Sequence, residues 1–485
     1  MRIKYFLRFT IIGFVAFFLI NCAINPVTGQ KQLMFVSESQ EIELGREFYP
    51  SALWGDVGGG GEFRDEQLKK YLKDIVLNIQ AVSHRPNLPV DFAIQNSSIP
   101  NAWAIPGHVV ITRGLLAGLE SEAEFVFVMG HEMGHVAARH SASQMTYGML
   151  QQIGLGAAGV ALGGSEYAGL AMNVGAIGSS LLLLKYSRSD ELEADELGIQ
   201  YMAKLGYDPK NAIDAHKRLE KLSRDYAKSV GKDSAEGGFF QDLLSTHPRT
   251  SVRIDEIEAM IRRMSTVRLS GDGTRKREFQ NKTERVRNIN ELYLKYYDKA
   301  ARAVEAKKLE DAEALIDKAI MEDGMQAPFH TMRGFIRLKN KEYSSAEQSF
   351  HVALSLDKEY VPAYRGMGMV HYSQEEYSDG IQYFEKGISI FPGDVASHYV
   401  LGLSYYRLDK NKQAIPHLNV MADAQPKHPE IHGILGICYE NINDISSAYN
   451  EYVKQLQVEP NNKVGRHAAK RVAALRPYIQ QRKSR

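Results

Sequence analysis

The stretch His131-Glu132-Met133-Gly134-His135 places two imidazoles four residues apart, with a carboxylate beside the first. Residues i and i+4 lie on the same face of an α-helix, so both rings can bind one Zn²⁺ ion. Glu132 is then placed to act as the general base that takes a proton from the attacking water. The pattern therefore predicts a catalytic zinc site. The alternative is a surface helix that carries two incidental histidines.

A helix is predicted around this motif. Ser121-Glu122-Ala123-Glu124 has the pattern of a capping box, and the apolar run from Phe125 to Met129 follows it directly. We expect the helix to begin near Glu122 and to run past Arg139, with the motif in its middle.

A third protein ligand is needed, because catalytic zinc takes three protein ligands and keeps one position open. A third histidine from the same motif is excluded: the required spacing falls on Ser141, and His140 is one residue off. A glutamate on a later helix must supply the ligand instead.

A second predicted helix provides acidic candidates. It opens in the segment from Ser187 to Asp195 and ends at Leu205-Gly206. Glu191 and Asp195 are four residues apart, so one can bind zinc while the other accepts a hydrogen bond from the far N–H of a ligand histidine. Glu193 is expected to face away from this pair, into solvent. The alternative is an ordinary acidic helix N-terminus.

Together these segments resemble a known family. His-Glu-x-x-His, Ser-Arg-x-x-Glu-x-x-Ala-Asp at 187–195 and Thr246-His247-Pro248 are similar to motifs of the integral-membrane and periplasmic zinc endopeptidases. That family includes the heat-shock protease HtpX and the CaaX prenyl protease, and its Asn-Ala-x-Ala-x-Pro-Gly stretch matches 101–107. The resemblance implies a gluzincin-like α-helical domain with a small β-sheet.

The resemblance also implies residue roles. One Zn²⁺ ion per chain would be held by His131, His135 and Glu191, with Glu132 as the general base. Asp195 and His247 complete the predicted catalytic set.

His247 precedes a proline in an expected loop. It is predicted either to donate a hydrogen bond to the oxyanion or to occupy the remaining zinc position in a resting form. A loop histidine without a role is the alternative.

Two short β-branched runs, Val90 to Ile94 and Val109 to Thr112, are predicted as strands. The resemblance implies that an extended substrate pairs with an edge strand of this sheet. A purely structural hairpin is the alternative.

The N-terminus has the pattern of a bacterial lipoprotein signal peptide at 1–21. An apolar run from Phe9 to Ile20 is shorter than a membrane span, and Leu19-Ile20-Asn21-Cys22 resembles a lipobox. Cys22 would carry the lipid, which predicts a periplasmic protein anchored to the outer membrane. The alternative is an ordinary signal peptide or an uncleaved anchor.

A second apolar stretch runs from Ile153 to Leu184. We interpret it as helices folded over the active site, with a membrane span at 167–184 as the alternative.

Composition excludes some partners. The chain has 485 residues, with 59 Lys and Arg against 58 Asp and Glu, so no basic bias points to nucleic acid. Its other cysteine, Cys438, falls on a predicted buried helix face, so no disulfide is expected if Cys22 is lipidated.

The C-terminal third repeats every 34 residues. Small residues recur at that spacing at Ala300, Gly334, Gly368, Gly402 and Gly436. Large apolar residues follow sixteen positions later at Ile316, Phe350, Phe384, Leu418 and Tyr452. This is the tetratricopeptide period and predicts an α-solenoid of five helix pairs at 293–462.

The predicted organisation is therefore mainly α-helical. A zinc metalloprotease domain at 22–264 is followed by a linker at 265–292, which a bridging helix could also form, then by the repeats and by a capping helix with a tail at 463–485.

The expected function is a zinc metalloendopeptidase of the bacterial envelope. By resemblance to repeat-bearing family members, it would degrade unfolded or misfolded outer-membrane proteins, and its repeats would bind a protein partner such as the barrel-assembly machinery. One alternative is a chaperone or assembly factor with a latent zinc site. Another is a membrane-embedded protease.

Overall fold

The computed structural model describes residues 22–56, 60–147, 186–229 and 251–483. The chain divides into two compact units between Leu294 and Lys295. None of the helices in these ranges is both long enough and apolar enough for a membrane span. The apolar stretch at 153–184 lies outside the described residues.

The described residues of the first unit contain five short strands: β1 Cys22–Ile24, β2 Lys31–Leu33, β3 Asp91–Gln95, β4 Ala102–Ile105 and β5 His108–Thr112. Its helices are α1 Glu38–Ser51, α2 Glu66–Val82, α3 Arg113–Gly118, α4 Glu122–Ala137, α5 Arg188–Lys204, α6 Asn211–Ser229, α7 Ser251–Arg263 and α8 Lys276–Leu292. A π-helical turn, Ala52–Asp56, follows α1. Residues 140–147 are also helical.

The second unit consists of helices in pairs: α9 Asp298–Glu305, α10 Leu309–Glu322, α11 Ala327–Lys339, α12 Tyr343–Leu356, α13 Val361–Ser373, α14 Tyr377–Ile390, α15 Val395–Arg407, α16 Asn411–Ala424, α17 Ile431–Asn441, α18 Ile445–Val458 and a final α19 Lys463–Lys483. A π-helical turn at Tyr293–Tyr297 precedes α9.

The larger sheet has the order β3–β5–β4. Strand β5 is central, parallel to β3 and antiparallel to β4, with Trp103 opposite Val110. The two predicted strands are confirmed as β3 and β5. Strand β4 was missed, although Pro106 and Gly107, whose φ is 95°, form the turn that joins it to β5. Strand β4 is an edge of this sheet.

Helix α4 begins as predicted. The Ser121 side chain accepts a hydrogen bond from the Glu124 backbone N–H, which caps the first turn. The helix ends at Ala137, so the prediction that it runs past Arg139 is wrong. Arg139 adopts a left-handed φ of 62°, and its buried guanidinium donates to the Glu41 carboxylate and to the Val36 carbonyl. This anchor fixes the bend after α4.

Helices α4 and α5 pack closely through glycines. A Cβ added to Gly130 would lie 3.2 Å from the Gly198 Cα, and one added to Gly134 would lie 3.1 Å from the Ala194 carbonyl oxygen. Helix α5 also has the predicted bounds, from the capping box at Ser187 to Gly206, whose φ is 82°. The close approach brings the acidic turn of α5 beside the histidines of α4.

For the segment 265–292, predicted as a linker or bridging helix, the structure shows a helix that belongs to the first unit. Residues 276–292 form α8, which packs within the first unit and buries Phe279 against the Phe125 ring. Val286 and Ile289 are buried on the same face. Charged residues cover the other faces of α8, and for this reason the overall composition of the segment did not indicate the apolar face.

The predicted repeat array is confirmed in the described residues 295–483. Each 34-residue unit forms a helix pair, and the small residues contact the large ones as expected: Gly334 lies against Phe350, Gly368 against Phe384 and Gly436 against Tyr452. The turns within the pairs repeat a left-handed residue at Lys307, Lys341, Glu375, Asp409 and Asn443. Helix α19 buries Ala468 and Leu475 at the end of the array, as a capping helix does.

Candidate metal centre

Three predicted ligands converge between α4 and α5. The Nε2 atoms of His131 and His135 are 3.1 Å apart. One carboxylate oxygen of Glu191 lies 3.7 Å from the Nε2 of His131, and the other lies 3.4 Å from the Nε2 of His135. All three side chains are buried. The three ligands that the sequence predicts, from two different helices, therefore lie close enough together to bind one metal ion.

This donor set fits a zinc ion. Ligand atoms at about 2.0–2.2 Å from tetrahedral zinc lie roughly 3.3 Å from one another. The three separations between donor atoms, 3.1, 3.4 and 3.7 Å, bracket that value. Two imidazoles and one carboxylate are also the ligand types of catalytic zinc sites, with a fourth position left for water or substrate.

Asp195 orients the first histidine. The Nδ1–H of His131 donates to the Asp195 carboxylate at 2.9 Å, which leaves the Nε2 lone pair of His131 directed at the other donors. Burial alone would raise the pKa of Asp195, but hydrogen bonds from His131 and His216 and the charge of Arg253 hold it well below its ordinary value. Asp195 is therefore an anion in a closed environment.

Arg253, at the start of α7, is a site residue that sequence analysis missed. Its Nε and Nη2 donate to the two oxygens of Asp195 at 2.8 and 2.7 Å. Its Nη1 lies 2.6 Å from Glu191. Burial works to lower the pKa of Arg253, but the two carboxylates raise it overall. Its position four residues before the buried Ile257 was the available signal of an inward-facing cation.

His216 on α6 was also missed. Its Nε2–H donates to the Asp195 carboxylate at 3.3 Å, and its ring is buried. Burial lowers the pKa of His216 in spite of the opposing charge of Asp195, so the ring is neutral near pH 7. The available signal was its place beside the buried Ala215 and Ala212 on the inner face of α6.

The second ligand histidine contacts another histidine. The Nδ1 of His135 is 2.8 Å from the Nδ1 of His140, and the Nε2 of His140 is 3.3 Å from the Glu193 carboxylate. The expectation that Glu193 faces solvent is therefore wrong in part, since its side chain is 31% exposed and reaches His140. His140 was excluded as a zinc ligand by its spacing, and it contacts a ligand instead.

Glu132 is buried on α4 and lines a pocket together with His131. The rest of the wall is mainly apolar and includes Phe127, Val128 and Leu219. Ala102 of the edge strand β4 lies in the same wall. A carboxylate outside the three-donor set thus faces a pocket that has a partly apolar wall.

Two predicted site residues are not placed by the structure. His247 lies outside the described residues, and its proposed roles stay predictions. Cys22 is the first residue of β1, but its side chain is not described. Cys438 is buried, as predicted, and burial raises the pKa of its thiol to about 12.

Two histidines on one helix, a glutamate between them and a carboxylate from the next helix reproduce the motif that zinc metallopeptidases use. Comparison with protein families agrees: residues 66–261 match the model of peptidase family M48. The match begins at the first residue of α2 and ends within α7, so it includes every described residue of the site.

Individual relatives match part of the chain. The mitochondrial metalloendopeptidase OMA1 of Arabidopsis thaliana is 32% identical over 190 residues, which cover 38% of this chain and 34% of that protein. The β-barrel assembly-enhancing protease of Escherichia coli (strain K12) is 28% identical over 236 residues, which cover 47% of this chain and 45% of that protein. The matches thus span less than half of either relative.

A solved tetratricopeptide-repeat structure aligns with part of the chain. The TPR protein YrrB aligns with a TM-score of 0.32 and 19% sequence identity, over 38% of this chain and 91% of that chain. The tetratricopeptide architecture of the second unit is established by its own helix pairs and their 34-residue spacing.

Proposed function

We propose that this chain is a zinc-dependent endopeptidase that cleaves extended or unfolded polypeptides. The observation that supports it is the buried cluster of His131, His135 and Glu191, with Glu132 on the wall of the adjoining pocket. When bound, zinc supplies Lewis acidity to the scissile carbonyl and to water. Glu132 accepts a proton from the attacking water and returns it to the leaving amine.

The sheet next to the pocket suggests how substrate is held. Strand β4 is an edge strand, and its Ala102 lines the same pocket as His131 and Glu132. An extended peptide paired with β4 through backbone hydrogen bonds would run past the site, which selects unfolded segments more than particular sequences. The apolar wall beside Glu132 would accept an apolar side chain next to the scissile bond.

A zinc-replacement assay tests this function. The purified full-length chain should contain one zinc per molecule and cleave reduced, carboxymethylated casein. Cleavage should cease after chelation and return with one equivalent of zinc, because the three donors complete one site. Stably folded proteins of about the same size as casein serve as controls and should resist cleavage. Full activity in metal-free protein, or no zinc binding at all, would contradict the proposal.

We further propose a location in the bacterial envelope, with the repeats binding a protein partner. The lipobox-like stretch before Cys22 supports a lipid anchor, and the name of the Escherichia coli relative, a β-barrel assembly-enhancing protease, supports a role in β-barrel assembly. The barrel-assembly machinery is the proposed partner of the repeats. Arrays of this kind form an extended surface that binds other proteins.

A Cys22→Ala variant tests the anchor. In cell fractionation, the wild-type chain should sediment with outer membranes, and the variant should move to the soluble periplasmic fraction or retain an uncleaved signal peptide, because no thiol remains to be acylated. Cys438→Ala is the matched control and should fractionate as wild type. A Cys22→Ala chain that is processed and remains with membranes would rule out lipid as the anchor.

A further inference from the structure

The two ligand histidines are oriented in different ways. The Nδ1 of His131 faces the Asp195 carboxylate directly, at 2.9 Å. The Nδ1 of His135 faces a second imidazole, that of His140, at 2.8 Å. The His140 ring is buried, with 5% of its surface exposed.

The hydrogen bonds of His135 and His140 are compatible with one arrangement of protons. His135 directs its Nε2 at His131 and Glu191, so a neutral ring that offers a lone pair there carries its proton on Nδ1. Because a hydrogen bond between two ring nitrogens needs one donor and one acceptor, the Nδ1 of His140 accepts. A neutral His140 then carries its proton on Nε2.

The far side of His140 provides the acceptors for that proton. Its Nε2 lies 3.3 Å from a carboxylate oxygen of Glu193 and 3.8 Å from one of Asp190. Both residues belong to the N-terminal part of α5, Asp190 directly before Glu191 and Glu193 two residues after it. A continuous chain of contacts therefore leads from a carboxylate through His140 to His135.

The backbone is built to allow this contact. Residues five apart on a continuous helix point about 140° away from each other, so His135 and His140 could not meet if α4 continued. The helix ends at Ala137, and Arg139 in the left-handed region turns the chain back. The buried ion pair between Arg139 and Glu41 holds that turn.

We propose that His140 is a positioning residue. It connects the Glu193 carboxylate to His135 through two hydrogen bonds, and this connection, called the relay below, keeps the proton of His135 on Nδ1. The inference rests on the proposed zinc site. It extends the ligand motif to His-Glu-x-x-His-x-x-x-x-His, in which the last histidine binds no metal. Its consequence is tighter zinc binding, because a ligand held in the correct tautomer and orientation loses less freedom on binding.

Two variants of similar shape separate hydrogen bonding from packing. In His140→Asn, the amide oxygen takes the place of Nδ1 and can still accept from His135; in His140→Leu, an apolar carbon takes that place. The zinc dissociation constant is measured by competition with a chromophoric chelator, and unfolding of the metal-free protein is measured in parallel. His140→Leu should weaken zinc binding by about 10–100-fold. His140→Asn should recover most of that loss.

The relay is tested at its other end. Glu193→Gln should weaken zinc binding by a smaller factor, roughly 2–10-fold, because it removes the charge but leaves His140 in place. Glu196→Gln, an exposed position on the same helix, is the matched control and should leave the dissociation constant unchanged. In the His140→Leu background, Glu193→Gln should have no further effect, since the connection is already broken.

The outcomes distinguish this inference from the proposed function. A wild-type chain that binds no zinc would overturn the function. A wild-type chain that binds zinc and cleaves casein, with equal dissociation constants for His140→Leu and His140→Asn, would overturn only the relay. A Glu193→Gln effect that persists unchanged in the His140→Leu background would overturn it as well.

Discussion

A Glu132→Gln protein should lose peptide-bond cleavage by about 10²–10⁴-fold while it retains zinc. The amide has nearly the shape of the carboxylate but cannot take a proton from the attacking water. Glu132 is buried beside His131 and lines the adjoining pocket, yet it is outside the three-donor set. The substitution therefore removes the base and leaves the ligands. Cleavage is measured as kcat/KM on a fluorogenic peptide with apolar residues around the scissile bond, together with zinc content.

Glu196→Gln is the matched control, because it makes the same chemical change at an exposed position of α5. It should cleave at the wild-type rate. Wild-type activity in Glu132→Gln would contradict the assignment of the base. Loss of zinc would mean that Glu132 supports the donors rather than the reaction.

The same variant also separates enzyme from chaperone. If Glu132→Gln restores envelope assembly in cells that lack the wild-type chain, the repeats act without proteolysis, and the zinc site is latent in that role. If it fails to restore assembly although its zinc content and folding are normal, the cellular function requires cleavage.

The predictable part of the site depends on helical spacing. His131 and His135 share a face because they are four residues apart, and Glu191 and Asp195 share one for the same reason. The Ser121 and Ser187 caps set where the two helices begin. Which carboxylate would be the donor, and which would orient a histidine, needed the family resemblance as well.

The missed residues depend on packing between distant segments. Arg253 and His216 reach Asp195 from positions 58 and 21 residues away in the chain. No local period relates them to the motif. His140 was judged by the spacing of a different zinc motif, and a left-handed Arg139 is not visible in sequence. The bend depends on Glu41, nearly a hundred residues earlier.

The second unit was predictable for a different reason. A 34-residue period fixes which small residue meets which large one, so Gly334 and Phe350 could be paired without a structure. Helix α8 was assigned to a linker because its composition is charged. Its buried residues, Phe279, Thr283, Val286 and Ile289, follow a helical spacing that composition does not reveal.

Replacement of Arg253 by methionine should destabilise the metal-free protein by about 3–5 kcal/mol. Its guanidinium lies between two buried carboxylates, with contacts of 2.7 and 2.8 Å to Asp195 and 2.6 Å to Glu191. Methionine has similar length but no charge. The loss of stability arises because two buried anions are left without their cation. This loss is larger than that from removing a single ion pair at the surface.

Zinc should reduce this cost, because Glu191 gains another cationic partner when the site is filled. The destabilisation by Arg253→Met is therefore expected to be larger in the chelator-treated protein than in the zinc-loaded one. Urea unfolding is followed for both forms. The unfolding transition whose midpoint shifts when zinc is removed is assigned to the first unit, which contains the zinc site. Arg262→Met is the control on the same helix, since Arg262 pairs with Glu258 in solvent and should change stability by less than about 1 kcal/mol.

The effect of Arg253→Met should also depend on pH. In the wild-type protein the depressed pKa of Asp195 contributes stability above the ordinary carboxyl pKa, and this contribution is lost as the pH falls through the depressed value. Without Arg253 the pKa of Asp195 rises, so the variant regains stability as the carboxyl is protonated. The difference in unfolding free energy between wild type and Arg253→Met should therefore narrow as the pH falls from the raised carboxyl pKa of the variant toward the depressed pKa of the wild type. A difference that is independent of pH and of zinc, or no larger than that of Arg262→Met, would show that Arg253 only fills space.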